Sequence, residues 1–413
     1  MNIKYLIILV CFLSINVGLQ AQYLYRNGYL QWINEGDISL RLGLWEQAIL
    51  QYGNAIAIDP NLADAYMKRA VLLQKIGRIQ ESLRDFNQAV SLNPYSIYMY
   101  DKRSKLKILA MDYKGSIDDI NQAISINPNN KELIEKRAED YILIGDYEKA
   151  ITDLDTLIAV NFNREFEYLK KATIYLLENN IESCSENINM ALELNKNNSI
   201  AYDLEGLLLL KEGKYTQAIE SFDKAIILNP EFAILYYNRS LANRFLKNID
   251  LAQKDLDKAI EKSRDHPNIY FARALVKKEL GDLSGSLTDY NQAIGFDNNF
   301  QDAIYNRAFV NKLLGNYDSA LDDANNLTKN DELNSKNWNL SGNIKVLFGN
   351  YEDAITDFNK AININSDYAI CFYNRGLAYI MSGRTLRGCD DINRSIELGY
   401  EPARNIKIEF CEN

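Results

Sequence analysis

Histidine occurs once in the 413 residues, at His266 beside Pro267. Without a second imidazole, neither a histidine-based zinc site nor a serine–histidine–aspartate relay with a spare ligand is easily built. Proline is scarce as well: only Pro60, Pro94, Pro128, Pro230, Pro267 and Pro402 interrupt the chain, so long stretches are free to be helical. The five cysteines show no spacing of a metal knuckle. Basic charge is in deficit, 46 Lys and Arg against 56 Asp and Glu, for a net charge of -10. Such a chain is unsuited to nucleic-acid backbone or to anionic lipid, and no nucleic-acid partner is expected. GxSxG, GxxxxGK[ST] and the dinucleotide fingerprint are all missing. Carboxylates abound, but none stands out as a raised-pKa acid. No enzymatic activity is expected, and no cofactor or metal.

Long hydrophobic runs are also missing, with one short exception. Residues 1–21 hold a single lysine, an apolar run from Tyr5 to Leu13, and the small-residue ending Gly18-Leu19-Gln20-Ala21. This pattern predicts a secretory signal peptide; the run is short for a membrane anchor, and Asn16 interrupts its end. Val10 before Cys11 argues against a lipoprotein. Cleavage removes Lys4 and moves the formal charge from -10 to -11. No later stretch nears the length of a membrane span, so an exported protein without an integral membrane segment is expected, periplasmic or secreted, in a Gram-negative bacterium.

What the chain does have is a beat. Stepping by 34 residues gives units starting at 29, 63, 97, 131, 165, 199, 233, 267, 301, 335 and 369, the last ending at 402, with no insertion or deletion. The unit 199–232 shows the design. Tyr202, Leu209, Ile219, Phe222 and Ile226 recur at helical spacing, Gly213 supplies a turn, and Pro230 follows the second helix. Gly206 and Ala218 are predicted to face each other. Small residues hold the eighth position of every unit (Ala70, Ser104, Gly342) and the twentieth (Ser82, Cys184, Gly388). The fourth is aromatic in nine, among them Trp32, Tyr236 and Trp338. The turn position is glycine in eight, from Gly43 to Gly383. One hairpin cannot bury its own stripe and needs neighbours on both sides.

In this period and pattern the chain resembles the tetratricopeptide repeat family, over residues 29–402. The resemblance implies an all-α, right-handed superhelical solenoid of eleven helical hairpins, whose first helices line a concave groove for proteins or peptides. Units 4 and 9 depart from the family pattern with Leu157 and Leu327 where it favours alanine. Residues 22–28 are expected to be a lead-in. Pro402 should open a last helix to about Cys411, the stretch 403–413 forming a C-terminal cap.

Two patterns point further. The seventh position is Arg69, Arg103, Arg137, Arg239, Arg273, Arg307 or Arg375 in seven units, and the twenty-third is Asp in those same seven. Matched charges predict an Arg–Asp bridge inside each hairpin. Of the positions that the resemblance assigns to the groove, the sixth is Lys68, Lys102, Lys136 and Lys170 in units 2 to 5, with Asp64, Asp101, Glu132, Glu135 and Glu139 about them. Such lysines either solvate a helix face or grip a carboxylate-bearing segment. Units 7 to 11 instead carry Tyr237, Phe271, Tyr305 and Tyr373 at the fifth position, Phe309 at the ninth, and Asn238, Asn306 and Asn374 at the sixth. The resemblance implies that these asparagines bind the backbone of an extended peptide, with the rings beside them; equally, rings at this spacing can be core. Cys184 reads as a buried space-filler, and Cys389 and Cys411, equidistant from a turn near residue 400, are a candidate disulfide. The function expected is an exported scaffold or adaptor that holds a partner protein or extended peptide in its groove. The alternative is a structural subunit of an envelope complex that assembles through its outer surface and ends.

Overall fold

The computed structural model describes residues 28–412, and the expected signal peptide and most of the lead-in lie outside them. Gly28, assigned to the lead-in from sequence, is already helical. The described residues are helical and contain no strand. They divide into two units at Lys196 and Asn197.

In unit 1, α1 covers 28–41. It pairs with α2 (Trp45–Ile58), and the next hairpin is α3 (Ala63–Lys75) with α4 (Ile79–Leu92). There follow α5 (Ile97–Leu109) with α6 (Tyr113–Ile126), α7 (Lys131–Leu143) with α8 (Tyr147–Ala159), and α9 (Arg164–Leu177) with α10 (Ile181–Leu194).

In unit 2, α11 (Ser199–Lys211) pairs with α12 (Tyr215–Leu228), α13 (Ala233–Phe245) with α14 (Ile249–Lys262), and α15 (Pro267–Glu279) with α16 (Leu283–Phe296). Then come α17 (Gln301–Leu313) with α18 (Tyr317–Asn330), α19 (Ser335–Leu347) with α20 (Tyr351–Ile364), and α21 (Ala369–Met381) with α22 (Thr385–Glu397). The closing helix, α23, runs Ala403–Phe410. It is shorter than the 403–413 expected: it ends at Phe410, and Cys411, which follows, is bonded to Cys389.

Within each unit every helix packs on the next, and first helices of neighbouring hairpins also touch one another: α3 with α5, α11 with α13, α17 with α19, α19 with α21. Second helices make no contact of comparable extent, so the first helices line the inner face of each unit. Within the hairpin, Gly206 meets Phe222 rather than Ala218: a methyl group added there would stand 2.5 Å from the ring. Gly36 and Gly342 admit Tyr52 and Phe358 in the same way. The eighth and twentieth positions still approach closely, as Ser82 Oγ donates to the Ala70 carbonyl at 2.7 Å.

The turn between paired helices needs a left-handed residue. The eight turn glycines have φ between 74° and 84°, and Met111, Asn179 and Lys247, which replace glycine in the other three hairpins, are forced to φ of 60°, 62° and 63°. Of the two leucines that break the family pattern, Leu157 is followed by left-handed Asn161 and Asn163, and α9 begins one residue early. Leu327 is buried with no such change.

Candidate functional site

A repeated set of buried charges holds the hairpins together. All seven predicted Arg–Asp bridges form, each with Nε and Nη2 on the two oxygens of its aspartate, as in Arg69 on Asp85 at 2.6 and 2.7 Å. The others join Arg103 to Asp119, Arg137 to Asp153, Arg239 to Asp255, Arg273 to Asp289, Arg307 to Asp323 and Arg375 to Asp391. In six of them Nη1 reaches back to the preceding hairpin, to Asn87, Asn121, Asp223, Asp257, Asn291 or Asn359. Where the arginine is missing the buried oxygens find other donors: Ser341 and Lys345 serve Asp357, and Ser221 donates to Glu205. These arginines are structural. The clefts beside Arg69 and Arg307, about 390 and 400 Å³, are open notches against satisfied bridges.

The lysine ladder of unit 1 is largely neutralised as well. Lys68 lies 2.8 Å from Asp37, Lys136 bonds Asp101, and Lys170 lies 2.8 and 2.9 Å from Glu135 and Glu139. The bonds run from one hairpin to the one before it, where sequence pointed to neighbours on the same helix. Lys102 instead stands 5.2 Å from the Tyr98 ring centre.

Beneath Lys170 lies a residue that sequence reading passed over. Glu167 occupies the third position of its hairpin, which is core: its counterparts Leu133, Ala201, Leu235 and Ile269 are buried. Glu167 is fully buried, neither carboxylate oxygen has a hydrogen-bond partner, and Lys170 Nζ remains 3.6 Å away. Burial raises its pKa from 4.5 to about 7, against the pull of Lys170 and with repulsion from Glu135 adding to the rise. The one acid at a position that is apolar in eight of the other ten hairpins, Gln31 and Asn337 being the exceptions, was the available signal.

Unit 2 presents a different inner face. Tyr237, Phe271, Tyr305 and Tyr373 are half-buried, and burial raises the phenol pKa of the three tyrosines. Phe271 packs on Tyr290 and Phe300, and Tyr373 on Tyr400 with ring centres 5.1 Å apart. The stripe is therefore part core and part surface. The asparagines separate. Asn238 is buried and donates to Asp203 at 2.8 Å, and Asn374 donates to Asn339 at 2.9 Å. Burial pushes the Asp203 pKa up to about 6, with the Asn238 amide drawing it back. Asn306 alone of the three stays on the outer side of the packing, donating to its own Asp302 carbonyl and accepting from Lys278 Nζ. Next to it, Tyr305, Asp302, Gln301, Asn334, Lys336 and Asn337 line a cleft of about 300 Å³. Phe309 lies one turn farther along α17, under Lys278 and Lys312.

Cys389 and Cys411 form a disulfide, their Cα atoms 5.6 Å apart, which ties α22 to the end of α23. Cys184 and Cys371 are fully buried. Among the described residues no group of three or more His, Cys, Asp or Glu is placed to hold a metal ion, and no helix is long and apolar enough to cross a membrane.

Paired helices stacked in sequence order, with first helices inward and a positive-φ turn in each pair, define an α-helical repeat solenoid. The chain is a tetratricopeptide-repeat protein: the TPR repeat family matches residues 36–77, 206–243 and 342–383, and the tetratricopeptide repeat family matches residues 63–96 and 233–266. No curated protein matches the sequence. Among solved structures, the chain is similar to the Cut9–Hcn1 hetero-tetramer of the APC/C at 15% identity and a TM-score of 0.50, over 84% of this chain and 75% of that one. It is also similar to a tetratricopeptide repeat protein from Parabacteroides merdae, at 18% identity and a TM-score of 0.46, over 69% and 99% of the two chains. Yeast Tom70 is similar at 14% identity and a TM-score of 0.39, over 92% and 95%. At these identities the likeness concerns the fold alone.

Proposed function

We propose that this chain is an exported scaffold that binds a partner protein, as an extended segment, along the first helices of unit 2. One contrast carries the reading. In unit 1 three of the four inner-face lysines are held by carboxylates of the preceding hairpin, whereas in unit 2 Tyr305 is half-buried beside a cleft, and Asn306 and Phe309 next to it meet only the Asp302 carbonyl and two lysines. Half-exposed aromatics beside an amide that donates and accepts suit a peptide chain, whose backbone offers both groups at every residue. Export is supported by the residues preceding Gln22 and by the Cys389–Cys411 disulfide, which is at home in an oxidising compartment. A scaffold without catalysis fits the repeat architecture, which leaves no long loop in which to assemble a pocket.

The test is affinity capture with crosslinking from native envelope material, using the full chain and the triple variant Tyr305→Ala, Asn306→Ala, Tyr373→Ala. A discrete partner held by the parent and lost by a variant of unchanged helicity is the expected result. Equal capture by both removes unit 2 as the binding face.

A further inference from the structure

The twelfth position of the repeat is a cation in three consecutive hairpins of unit 2 and nowhere else: Arg244, Lys278 and Lys312. In the other eight hairpins it is apolar, save for Gln74. It lies outside the second, fifth, sixth and ninth positions that the family resemblance assigns to ligand contact. Arg244 is engaged, with Nε and Nη2 on Glu279 at 2.8 and 2.5 Å. The two lysines are not. Lys278 Nζ donates to Asn306 Oδ1 at 2.8 Å and stands 5.6 Å from the centre of the Phe309 ring; Lys312 Nζ stands 4.8 Å from the same centre. Neither forms an ion pair with a carboxylate of the described residues.

Most half-buried lysines of the described residues differ, although Lys102 and Lys131 likewise stand beside aromatic rings without a carboxylate. Acids outnumber bases, and Lys68, Lys136, Lys170, Lys277 and Lys345 each find a carboxylate. Lys278 and Lys312 are half-buried, and burial lowers the pKa of both, with Arg244 adding to the effect at Lys278. Glu279 offsets part of this at Lys278, but a half-desolvated ammonium with no carboxylate in contact is a cost to the fold that an incoming anion relieves. Phe309, between two such groups, offers an apolar floor on which a methylene stem can lie.

We propose that Lys278 and Lys312, with Asn306 and Phe309 between them, form an anion site that takes glutamate or aspartate side chains of an extended acidic protein segment. The proposal rests on the protein-binding reading above and adds the chemistry of the ligand. A protein segment is favoured over a small free anion because Tyr305 stands beside Asn306 on α17, giving a neighbouring residue of a chain a place to lie; the cleft beyond it, lined by Tyr305, Lys336 and Asn337 together with Asp302 and Asp331, suits the uncharged part of such a segment.

The test is calorimetric titration of the full chain with hexaglutamate blocked at both ends, against blocked hexaglutamine and inorganic phosphate. Hexaglutamate is expected to bind, more weakly as salt rises, and hexaglutamine not to bind. Lys278→Gln with Lys312→Gln should weaken hexaglutamate by roughly tenfold or more, while Lys278→Arg with Lys312→Arg retains it. No binding of hexaglutamate, equal binding by the glutamine variant, or binding of phosphate in place of hexaglutamate each overturns the proposal. Because this titration needs no native partner, its failure leaves capture through Tyr305 and Tyr373 to stand or fall separately.

Discussion

Arg239 Nη1 lies 2.6 Å from Asp223 Oδ1, across the joint between two hairpins, while its Nε and Nη2 hold Asp255 inside its own hairpin. One guanidinium thus closes a hairpin and sets that hairpin against its neighbour. The planar fork of arginine suits both, since Nε and Nη2 together match the two oxygens of one carboxylate and leave Nη1 for the next. Asp255 is buried, so a variant lacking the arginine strands a charge. Arg239→Met is expected to cost about 3 kcal/mol, and Arg239→Met with Asp255→Leu to recover most of it. Urea denaturation, with hydrogen exchange followed in α13 and α14, measures both.

The turns offer a change in the other direction. Met111 and Lys247 adopt φ near 60°, where an L side chain costs about 1 kcal/mol or more relative to glycine. Met111→Gly and Lys247→Gly are each expected to stabilise their hairpin by about 1 kcal/mol, and Gly213→Ala, at φ 77°, to destabilise by a similar amount. Thermal melts of the three single variants decide the matter. A fall in stability on Lys247→Gly would show that its side chain, and not its backbone, governs that turn.

These turns also show how much of the fold could be read in advance. Glycine at the turn in eight hairpins announced a left-handed residue, and the same backbone imposed itself on Met111, Asn179 and Lys247 where glycine was missing. The Arg–Asp bridges were legible because both partners lie in one repeat and vary together. The second arm that six of the arginines extend was not, because its partner stands in the preceding hairpin, at a position filled by Asn or Asp that reads as ordinary surface. The inner-face bonds of Asn238 to Asp203 and Asn374 to Asn339 escaped notice for the same reason, since they join the sixth position to the fifth of the hairpin before. Residues alike in sequence therefore came apart in role: Asn238 and Asn374 became staples, and only Asn306, whose preceding hairpin offers Phe271 at that place, was left to face outward.

Glu167 makes the stability depend on pH. Its folded pKa, about 7, lies above the 4.5 of an ordinary glutamate, so the folded state binds the proton more tightly than the unfolded chain. The stabilisation is complete below about pH 4.5 and is lost as pH rises to about 7. Asp203, raised by burial to about 6, acts in the same direction in unit 2. Melting temperature is expected to fall between pH 5 and pH 8. Glu167→Gln should flatten that slope in part, leaving the share of Asp203, and should raise stability at pH 8. An unchanged slope in the variant would assign the pH dependence elsewhere.

The last prediction concerns the C-terminal cap. α23 is short and buries only Ala403, so the disulfide from Cys389 to Cys411 is its main tether to α22. A covalent loop of this length, 22 residues in separation, stabilises by about 3 kcal/mol in the chain-entropy view. The effect should be local, because in a linear repeat array each hairpin answers chiefly to its neighbours. Cys389→Ser is therefore expected to speed hydrogen exchange in α22 and α23 and to leave α11 and α12 unchanged. The thiols give a second readout. Cys371 is fully buried, its sulfur 3.6 Å from the Phe358 carbonyl, and burial pushes its pKa up to about 12. Brief reduction and alkylation of the parent protein should label Cys389 and Cys411 ahead of Cys371, and Cys371 should label faster in Cys389→Ser as α22, which packs on α21, loosens. Equal labelling of Cys371 with and without the disulfide would mean that α21 and α22 hold their packing alone, and that the bridge protects nothing beyond α23.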